Sequence, residues 1–381
     1  MHSEKIIELK FIGKKPTADI EVNNNSHVFF GNGIATSNSH AVSYAANGVL
    51  AAVIKTHFPH EFFTASLFHA RNKPKPLDEI KGLVSDTRSF NIDVRPPLLY
   101  HLNKNFQLYD KTIYFGLTNI KGVGNSVYKK LHSVLKSKGS LLDKQFYDQF
   151  NWIELLIYIL PNLTSTAVKA MIDVGCFSYI KLDKKKMKYE YEKYSLLSNK
   201  PKTWIENNYL DKKWATFIQC LDDLLKLPIG RDYACASKKG YAATKDIFSS
   251  LKNPPYSLKD SAVYIAECEN ELLGLPVTCT SLDDCSIEDA NCNCQEFNDG
   301  RNLSMFWIPV RIDRMHEILT KNKKKMCFLA GSDITGNLDS IVVFPEQYKE
   351  FRSLLFEQNN IMLIGKHGKD KSFIVTKIYQ L

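Results

Sequence analysis

The stretch SHVFFGNGIATSNSHAVSYA, residues 26–45, changes character in its middle. Up to Asn38 it has a β pattern around Gly31-Asn32-Gly33, where Asn-Gly is a strong hairpin signal. From Ser39 the apolar residues recur at helical spacing, and serine is a suitable helix N-cap. The sequence therefore predicts β structure that ends at Asn38 and a helix that begins at Ser39.

Asn38 and Ser39 can together exchange an acyl group and cleave the chain between them. The asparagine amide nitrogen can attack its own backbone carbonyl to form a succinimide, while the serine hydroxyl can accept an acyl group. Both reactions need alignment, an imidazole for proton transfer and donors for the oxyanion. His27 lies eleven residues before Asn38 and could return to it across a β turn. For an isolated Asn-Ser pair, an ordinary helix start is the better interpretation.

The residues around Asn38 and Ser39 make this pair a more specific signal than an isolated Asn-Ser. DIEV, SHVFFGNGIATSN and the following Ser39 resemble the C-terminal end of an intein, in which Asp-Ile-x-Val precedes His-x-Phe-x-x-Asn-Gly-Ile and a terminal Asn. The resemblance covers Lys5 to Ser39 and implies the C-terminal fragment of a split intein, which needs an N-terminal intein fragment on a partner chain. It implies splicing roles for Asn38, Ser39 and His27. Ser37 stands where many inteins have histidine, which leaves proton donation to His27 or water.

The residues after the junction resemble a second family, the bacterial (family C) DNA polymerase III alpha subunit. SHAVSYAANGVLAAVIKTHFPHEFFTASL is similar to its fingers segment, and YFGLTNIKGVGNSV with LTSTAVKAMIDVGCF to its helix-hairpin-helix region. ECENELLGLPVT resembles the segment before its C-terminal half, and TKNKKKMCFLAGSDITGNLDSIVVFPEQY its OB domain. The likeness spans Ser39 to Leu381 and is vague from 181 to 260. It implies that splicing joins a polymerase half to an upstream half.

These resemblances and the local patterns predict a multidomain α+β protein with a short all-β start, a mainly helical middle and a C-terminal β-barrel. The expected segments are a split-intein fragment (1–38), late fingers (39–100), a helix-hairpin-helix DNA-binding region (101–180), a basic linker or clamp-binding-like region with an acidic, cysteine-containing insertion (181–300) and an OB-fold (301–381).

Individual elements follow from the apolar periodicity. We expect strands over Ile6–Phe11 and Ala18–Val22, two helices separated by Pro59, and helices over 151–177 around a turn at Pro161-Asn162. Residues 291–302 are expected to form a loop. Five short strands then follow, with a helix near Gln347 to Glu357 that we count after the fourth strand, as in a small closed barrel.

Two segments are candidate DNA contacts. In IKGVG, glycines before a helix let backbone N–H groups approach a phosphate, although such a turn is more often only structural. The lysines of TKNKKK lie between barrel strands near Phe306, Trp307 and Phe328, which are as suited to a core as to base stacking. The predicted contacts are Lys121, Gly122, Val123, Gly124, Lys321, Lys323, Lys324 and Lys325.

The charge pattern agrees with a polyanion as partner. The net charge is +9, and residues 181–252 hold 16 Lys and Arg against 9 Asp and Glu, whereas 281–300 hold six acidic residues and no basic one. Nine cysteines and the absence of a secretory or membrane-spanning pattern lead us to expect reduced thiols in the cytoplasm of a bacterial or phage-infected cell. The expected partners are double- and single-stranded DNA, with no membrane.

Some expected polymerase parts are missing. Asp222-Asp223 and Asp283-Asp284 are isolated pairs, so we expect the metal-binding palm aspartates, and the magnesium they hold, on the upstream half. We expect no cofactor in this chain, and the spacing of Cys279, Cys285, Cys292 and Cys294 is unlike a zinc ribbon. A sliding clamp is a further partner of the family, but the nearest peptide, beginning at Gln219, departs from its clamp motif.

Two other interpretations stay open at this point. The chain could be a stand-alone DNA-binding or processivity subunit whose intein-like start is inactive, in which case it would keep Met1 in the cell. It could also be an ordinary basic scaffold protein, which would bind DNA weakly or without salt dependence.

Overall fold

The change from β to α structure predicted at Asn38 is present in the structure, a computed structural model. Strands β1 (Val28–Gly31) and β2 (Ile34–Ser37) pair antiparallel, with Val28 opposite Ser37. Helix α1 (Ser39–His57) follows directly. Both predictions are confirmed.

The structure describes residues 28–31, 34–37, 39–142, 144, 149–230, 233–369 and 372–381. The strands predicted over Ile6–Phe11 and Ala18–Val22 lie outside these residues. The chain divides into two units, Met1–Phe62 and Phe63–Leu381.

Pro59 separates the first two helices, as predicted. Helix α1 ends at His57 and α2 (Pro59–Ala70) begins at the proline itself. Proline is tolerated at the first helical position because the N–H that it lacks has no intrahelical acceptor there.

The first part of the larger unit is mainly helical. Its small sheet has β3 (Asp93–Arg95) parallel to β5 (Thr112–Tyr114), which pairs antiparallel with β4 (Gln107–Tyr109). The helices are α3 (Pro76–Ser89), α4 (Asn125–Leu141), α5 (Trp152–Glu154), α6 (Ser165–Val174), α7 (Lys184–Leu196), α8 (Asn199–Lys212), α9 (Phe217–Leu225), α10 (Lys238–Lys252) and α11 (Ala262–Leu273). A buried π-helical turn, Leu155–Ile159, continues α5, and the expected turn at Pro161 lies before α6.

Helix α7 shows how the Lys- and Tyr-rich stretch folds. Tyr189, Tyr191 and Tyr194 are buried on it, and the Tyr189 hydroxyl donates to the Ser250 carbonyl at 3.0 Å. Burial raises the pKa of Tyr194. The aromatic rings thus supply the core of a segment whose composition is otherwise polar.

The segment ECENELLGLPVT is held together by a buried carboxylate. Glu269 is fully buried and accepts hydrogen bonds from the Val277 and Thr278 N–H groups at 2.7 and 2.8 Å. Lys184 places its Nζ 3.8 Å from the same carboxylate. Gly274 ends α11 with a positive φ of 92°, a conformation that favours glycine. Glu269 therefore has a structural role in this motif.

The C-terminal part is a closed five-stranded barrel, consistent with the predicted OB-fold. Its strands are β6 (Phe306–Leu319), β7 (Lys325–Ser332), β8 (Asn337–Val343), β9 (Asn360–His367) and β10 (Phe373–Gln380), in the order β10-β8-β7-β6-β9. The first half of β6 pairs with β9 and its second half with β7, and β8 pairs parallel with β10 to complete the barrel.

Two details of the predicted barrel are wrong. Helix α13 (Pro345–Phe351) follows the third barrel strand rather than the fourth. The loop expected over 291–302 contains a short helix, α12 (Cys294–Asn298), which begins with a capping box between Asn293 and Glu296. Phe297 of α12 packs edge-on against Phe306 with ring centroids 5.0 Å apart, so the acidic segment contributes to the barrel core.

Within the described residues, no helix is long and apolar enough to cross a membrane. All nine cysteines are free thiols. Burial raises the pKa of Cys220 and of Cys327, each to about 12, so these thiols stay protonated at neutral pH.

Candidate nucleic-acid interface

The residues expected to carry the splicing chemistry fall mostly outside the described part of the chain. His27 and Asn38 lie outside it, and Ser39 is the first residue of α1. Their roles remain predictions.

The glycine turn before α4 presents backbone N–H groups at the surface. Gly122 has a positive φ of 90°, Gly124 is the N-cap of α4, and both are exposed. Val123 between them is buried and anchors the turn. The first N–H groups of a helix have no intrahelical partner, and a glycine N-cap offers no side chain to accept them. The Val123 N–H already donates to the Ile120 carbonyl at 3.0 Å, so the N–H groups of Gly124 and of the first turn of α4 are those placed to bind an anion such as a phosphate.

A second helix start lies beside this turn, which the sequence alone did not indicate as a site. Thr164 is the N-cap of α6, and in the described part of the chain its side chain makes no capping hydrogen bond. A Cβ placed on Gly122 would lie 3.8 Å from Cγ2 of Thr166 in the first turn of α6. Two helix N-termini therefore open on one exposed surface. The small hydroxyl residues of the Thr164–Thr166 run were the available signal.

Lysines surround the first of these turns. Lys121 precedes the glycines, and Lys129 and Lys130 follow in the second turn of α4; all three are exposed. The Lys121 backbone is fixed, since its N–H donates to the Leu272 carbonyl at 2.9 Å. The positive charge at this surface adds to that of the helix ends. The site can hold a phosphate backbone without reading sequence.

The lysines between β6 and β7 form a tight, exposed turn. The Thr320 and Lys323 N–H groups donate to the Lys324 and Thr320 carbonyls, both at 2.9 Å, and Lys323 has a positive φ of 56°. This turn displays Lys321, Lys323 and Lys324 to solvent. It occupies the position of the first interstrand loop of an OB barrel, one of the loops with which such barrels bind oligonucleotides.

Lys325 differs from its three neighbours. Its Nζ lies 3.5 Å from a Glu317 carboxylate oxygen. A hydrogen bond from the Tyr348 hydroxyl lowers the pKa of Glu317, so this carboxylate stays charged at neutral pH. Part of the Lys325 charge is therefore compensated within the protein.

The three candidate aromatic side chains separate into different environments. Phe306 is fully buried and belongs to the barrel core. Trp307 is half-buried and stacks on Tyr379, with ring centroids 6.5 Å apart. Phe328 is 36% exposed and lies opposite His316 on the neighbouring strand. Phe328 is therefore the one of the three best placed for stacking on the β6–β7 side of the barrel.

A cleft of about 550 Å³ in the larger unit is balanced in charge. Its basic side chains, Lys81, Arg88, Arg311 and Arg314, are matched by the acidic Asp78, Asp313, Asp333 and Asp339. Burial lowers the pKa of Arg88 and raises that of Asp313. This cleft is a weak candidate for binding a polyanion.

The peptide considered as a clamp motif is part of a folded helix. The Gln219 side chain accepts hydrogen bonds from the Ala215 and Thr216 N–H groups and caps α9. Cys220, Leu221 and Leu224 are buried. This segment cannot bind a partner as an extended peptide without unfolding α9.

The two aspartate pairs serve the fold. Asp222 and Asp223 both form ion pairs with Lys226, and Asp284 accepts a hydrogen bond from the Val263 N–H. In the described part of the chain, no group of three or more His, Cys, Asp or Glu side chains could hold a metal ion.

Most of the chain is similar to known DNA polymerase III alpha subunits. The chain is 22% identical over 348 residues to the DNA polymerase III subunit alpha of Staphylococcus aureus strains Mu50 and COL. It is 20% identical over 347 residues to that of Staphylococcus epidermidis. The chain is homologous to the C-terminal region of the DNA polymerase III alpha subunit. No family model matches it.

The match to the alpha subunits covers most of this chain and a minority of theirs. It includes 90% of this chain but 28% of each of these relatives. The similarity therefore supports a fragment of a replicative polymerase.

Proposed function

We propose that residues 39–381 are the C-terminal part of a replicative DNA polymerase III alpha subunit, joined to a separate upstream part by protein trans-splicing at Asn38-Ser39. The observation that carries the polymerase assignment is the match over 90% of the chain. The matched region, 348 residues long, is close in length to the part of the chain after Asn38, which has 343 residues (381 minus 38). The intein-like residues 1–38 supply the reason for a junction there.

The proposed splicing reaction exchanges acyl groups without net hydrolysis. Ser39 Oγ attacks the thioester or ester carbonyl at the upstream junction and displaces the sulfur or oxygen of the N-terminal intein fragment, which takes up a proton. Asn38 Nδ2 then attacks its own backbone carbonyl, forming a succinimide and releasing the Ser39 amine, with His27 transferring the proton. The free amine attacks the Ser39 ester, so that an amide forms and the hydroxyl is restored.

In the joined protein, this chain would contribute DNA binding rather than the chemical step. We assign the adjacent N-termini of α4 and α6, with Lys121, Gly122, Val123 and Gly124, to a helix-hairpin-helix that holds duplex DNA. We assign the turn with Lys321, Lys323 and Lys324 to single-stranded DNA, with Lys325 a weaker contact. The aspartates that hold magnesium for nucleotidyl transfer would belong to the upstream polypeptide.

Charge reversal at the glycine turn tests the duplex contact. Lys121→Glu is expected to weaken duplex DNA binding about 10-fold and to reduce the slope of log K against log salt by about 1, because one phosphate contact is lost. Fluorescence anisotropy at several salt concentrations measures both. Lys136→Glu makes the same charge change at an exposed position near the other end of α4 and should have a smaller effect. Equal losses for the two variants would refute the site.

Primer extension tests the polymerase assignment. The joined product is expected to extend a primed template, whereas the purified 381-residue chain alone should give no extension, because we assign the palm to the upstream polypeptide. The control is the upstream polypeptide alone at the same concentration, whose extension should be much less processive without the DNA-binding part. Extension by the 381-residue chain alone would contradict the proposed division of labour.

A further inference from the structure

The middle of helix α1, residues 45–54, is apolar on nearly all sides. Residues 45–54 cover almost three helical turns, and Asn47 is the single residue among them with a polar side chain. A helix that is hydrophobic on all sides is normally buried inside a larger protein or a membrane.

The structure leaves this helix exposed. All ten residues from 45 to 54 are exposed, including Val49 at 63%, Leu50 at 60%, Val53 at 48% and Ile54 at 45%. Phe58, just beyond the helix end, is 58% exposed. Large apolar side chains that cluster on one exposed element mark a surface that another partner covers.

Gly48 adds a second observation on the same helix. A glycine inside a helix is less stable than alanine by about 1 kcal/mol. A Cβ placed at Gly48 would meet nothing within 4 Å among the described residues, so packing within that part of the chain does not require glycine there. A position without a side chain lets another backbone approach α1 closely.

Three points bear on what covers α1. Among the described residues no helix, α1 included, meets the length and hydropathy needed to cross a membrane. The polymerase relatives contain far more chain than this one, since the match spans 28% of their length. Helix α1 begins at Ser39, the residue at which we propose the upstream polypeptide is joined.

We propose that α1 docks into an apolar groove of the upstream polymerase polypeptide, and that this contact holds the two polypeptides together independently of the intein fragments. The inference rests on the proposed division of the polymerase into two chains, but not on splicing. Docking before ligation would raise the local concentration of the two junctions and would keep the apolar residues of α1 from solvent afterwards.

The test measures association without intein contacts. The full 381-residue chain with Asn38→Ala is mixed with the upstream polymerase polypeptide from the same genome, which is truncated before its intein fragment. Surface plasmon resonance measures the Kd of the complex between the two polypeptides. Leu50→Asp with Ile54→Asp should raise the Kd at least about 10-fold, because two charges would enter an apolar contact. Leu50→Gln is a milder variant with the same direction of effect, and circular dichroism checks that α1 persists.

Leu196→Asp is the matched control, since Leu196 is 69% exposed at the end of α7. The proposal predicts a Kd for Leu196→Asp within 2-fold of the parent. Equal Kd values for the α1 variants and the parent would overturn the proposal. It would also be overturned if the chain alone formed a dimer, or bound phosphatidylcholine–phosphatidylglycerol vesicles, and the α1 substitutions abolished that dimer or that binding.

The same set of proteins distinguishes failure of docking from failure of splicing. If the parent chain ligates to a partner that carries its intein fragment while the α1 variants leave the Kd unchanged, the docking proposal alone is wrong. If no ligation occurs but the α1 changes still weaken association, docking stands and splicing is wrong.

Discussion

Asn38→Ala is expected to reduce the yield of free joined product by at least about 10³-fold, well within the loss of about 10⁶-fold seen when a nucleophile is removed from an enzyme. Alanine has no amide nitrogen to form the succinimide, so the peptide bond to Ser39 stays intact. The upstream polypeptide can still be transferred to Ser39 Oγ. A branched ester species that contains both polypeptides should therefore accumulate, and denaturing electrophoresis with hydroxide treatment detects it.

Ser39→Ala should block the reaction one step earlier. Without the hydroxyl no branched ester can form, so the two polypeptides should stay separate apart from cleavage at either junction. Ser43→Ala is the matched control, because it removes the same hydroxyl four residues further along α1. Parent-level ligation by either Asn38→Ala or Ser39→Ala would show that the proposed residues do not carry the reaction.

Gly365→Ala is expected to destabilise the barrel by about 3 kcal/mol, the upper end of the usual range for overpacking. Gly365 lies in β9 opposite Phe306 of β6 and Val375 of β10. An added Cβ would overlap the Ile374 carbonyl oxygen and would lie 2.5 Å from a ring carbon of Phe373. The Ile374 carbonyl belongs to strand β10 and the Phe373 ring is fully buried, so a shift of either would disturb the barrel. Urea unfolding followed by circular dichroism measures the loss.

Gly336→Ala provides the comparison within the same barrel. Its added Cβ would find its nearest neighbour at 3.7 Å, an ordinary van der Waals distance. The loss in the free energy of unfolding should stay below about 1 kcal/mol, close to that of a neutral substitution. If the two alanine variants unfold at the same urea concentration, the tight β9–β10 packing described above is incorrect.

The elements that the sequence predicted well have regular patterns and clear ends. The hairpin alternates around an Asn-Gly turn, α1 is periodic from Ser39, and Pro59 fixes the start of α2. The barrel strands alternate as well, so the closed sheet could be predicted even though α13 was counted after the wrong strand. These signals are local, so they survive without knowledge of the tertiary contacts.

The parts that the sequence did not predict depend on distant contacts. Helix α12 has five residues and is fixed by Phe297 packing into the barrel, although its Asn293-x-x-Glu296 capping box was visible. Helix α7 has a polar, Tyr-rich sequence that would also suit a solvent-exposed segment, yet it buries Tyr189, Tyr191 and Tyr194. The second half of the candidate duplex site, Thr164–Thr166, becomes evident because folding places it beside Gly122. A hydroxyl-rich turn alone does not identify a site.

The mass of the product formed with the upstream polypeptide tests the central proposal most directly. We would co-express the parent chain with the adjacent upstream polymerase fragment that ends in an N-terminal intein half, and measure all products by intact mass spectrometry. We expect one species in which the upstream sequence continues directly into Ser39–Leu381, with a separate 38-residue fragment ending in succinimide or asparagine. An intact 381-residue chain that still carries Met1, with or without bound partner, would contradict splicing and favour a stand-alone subunit.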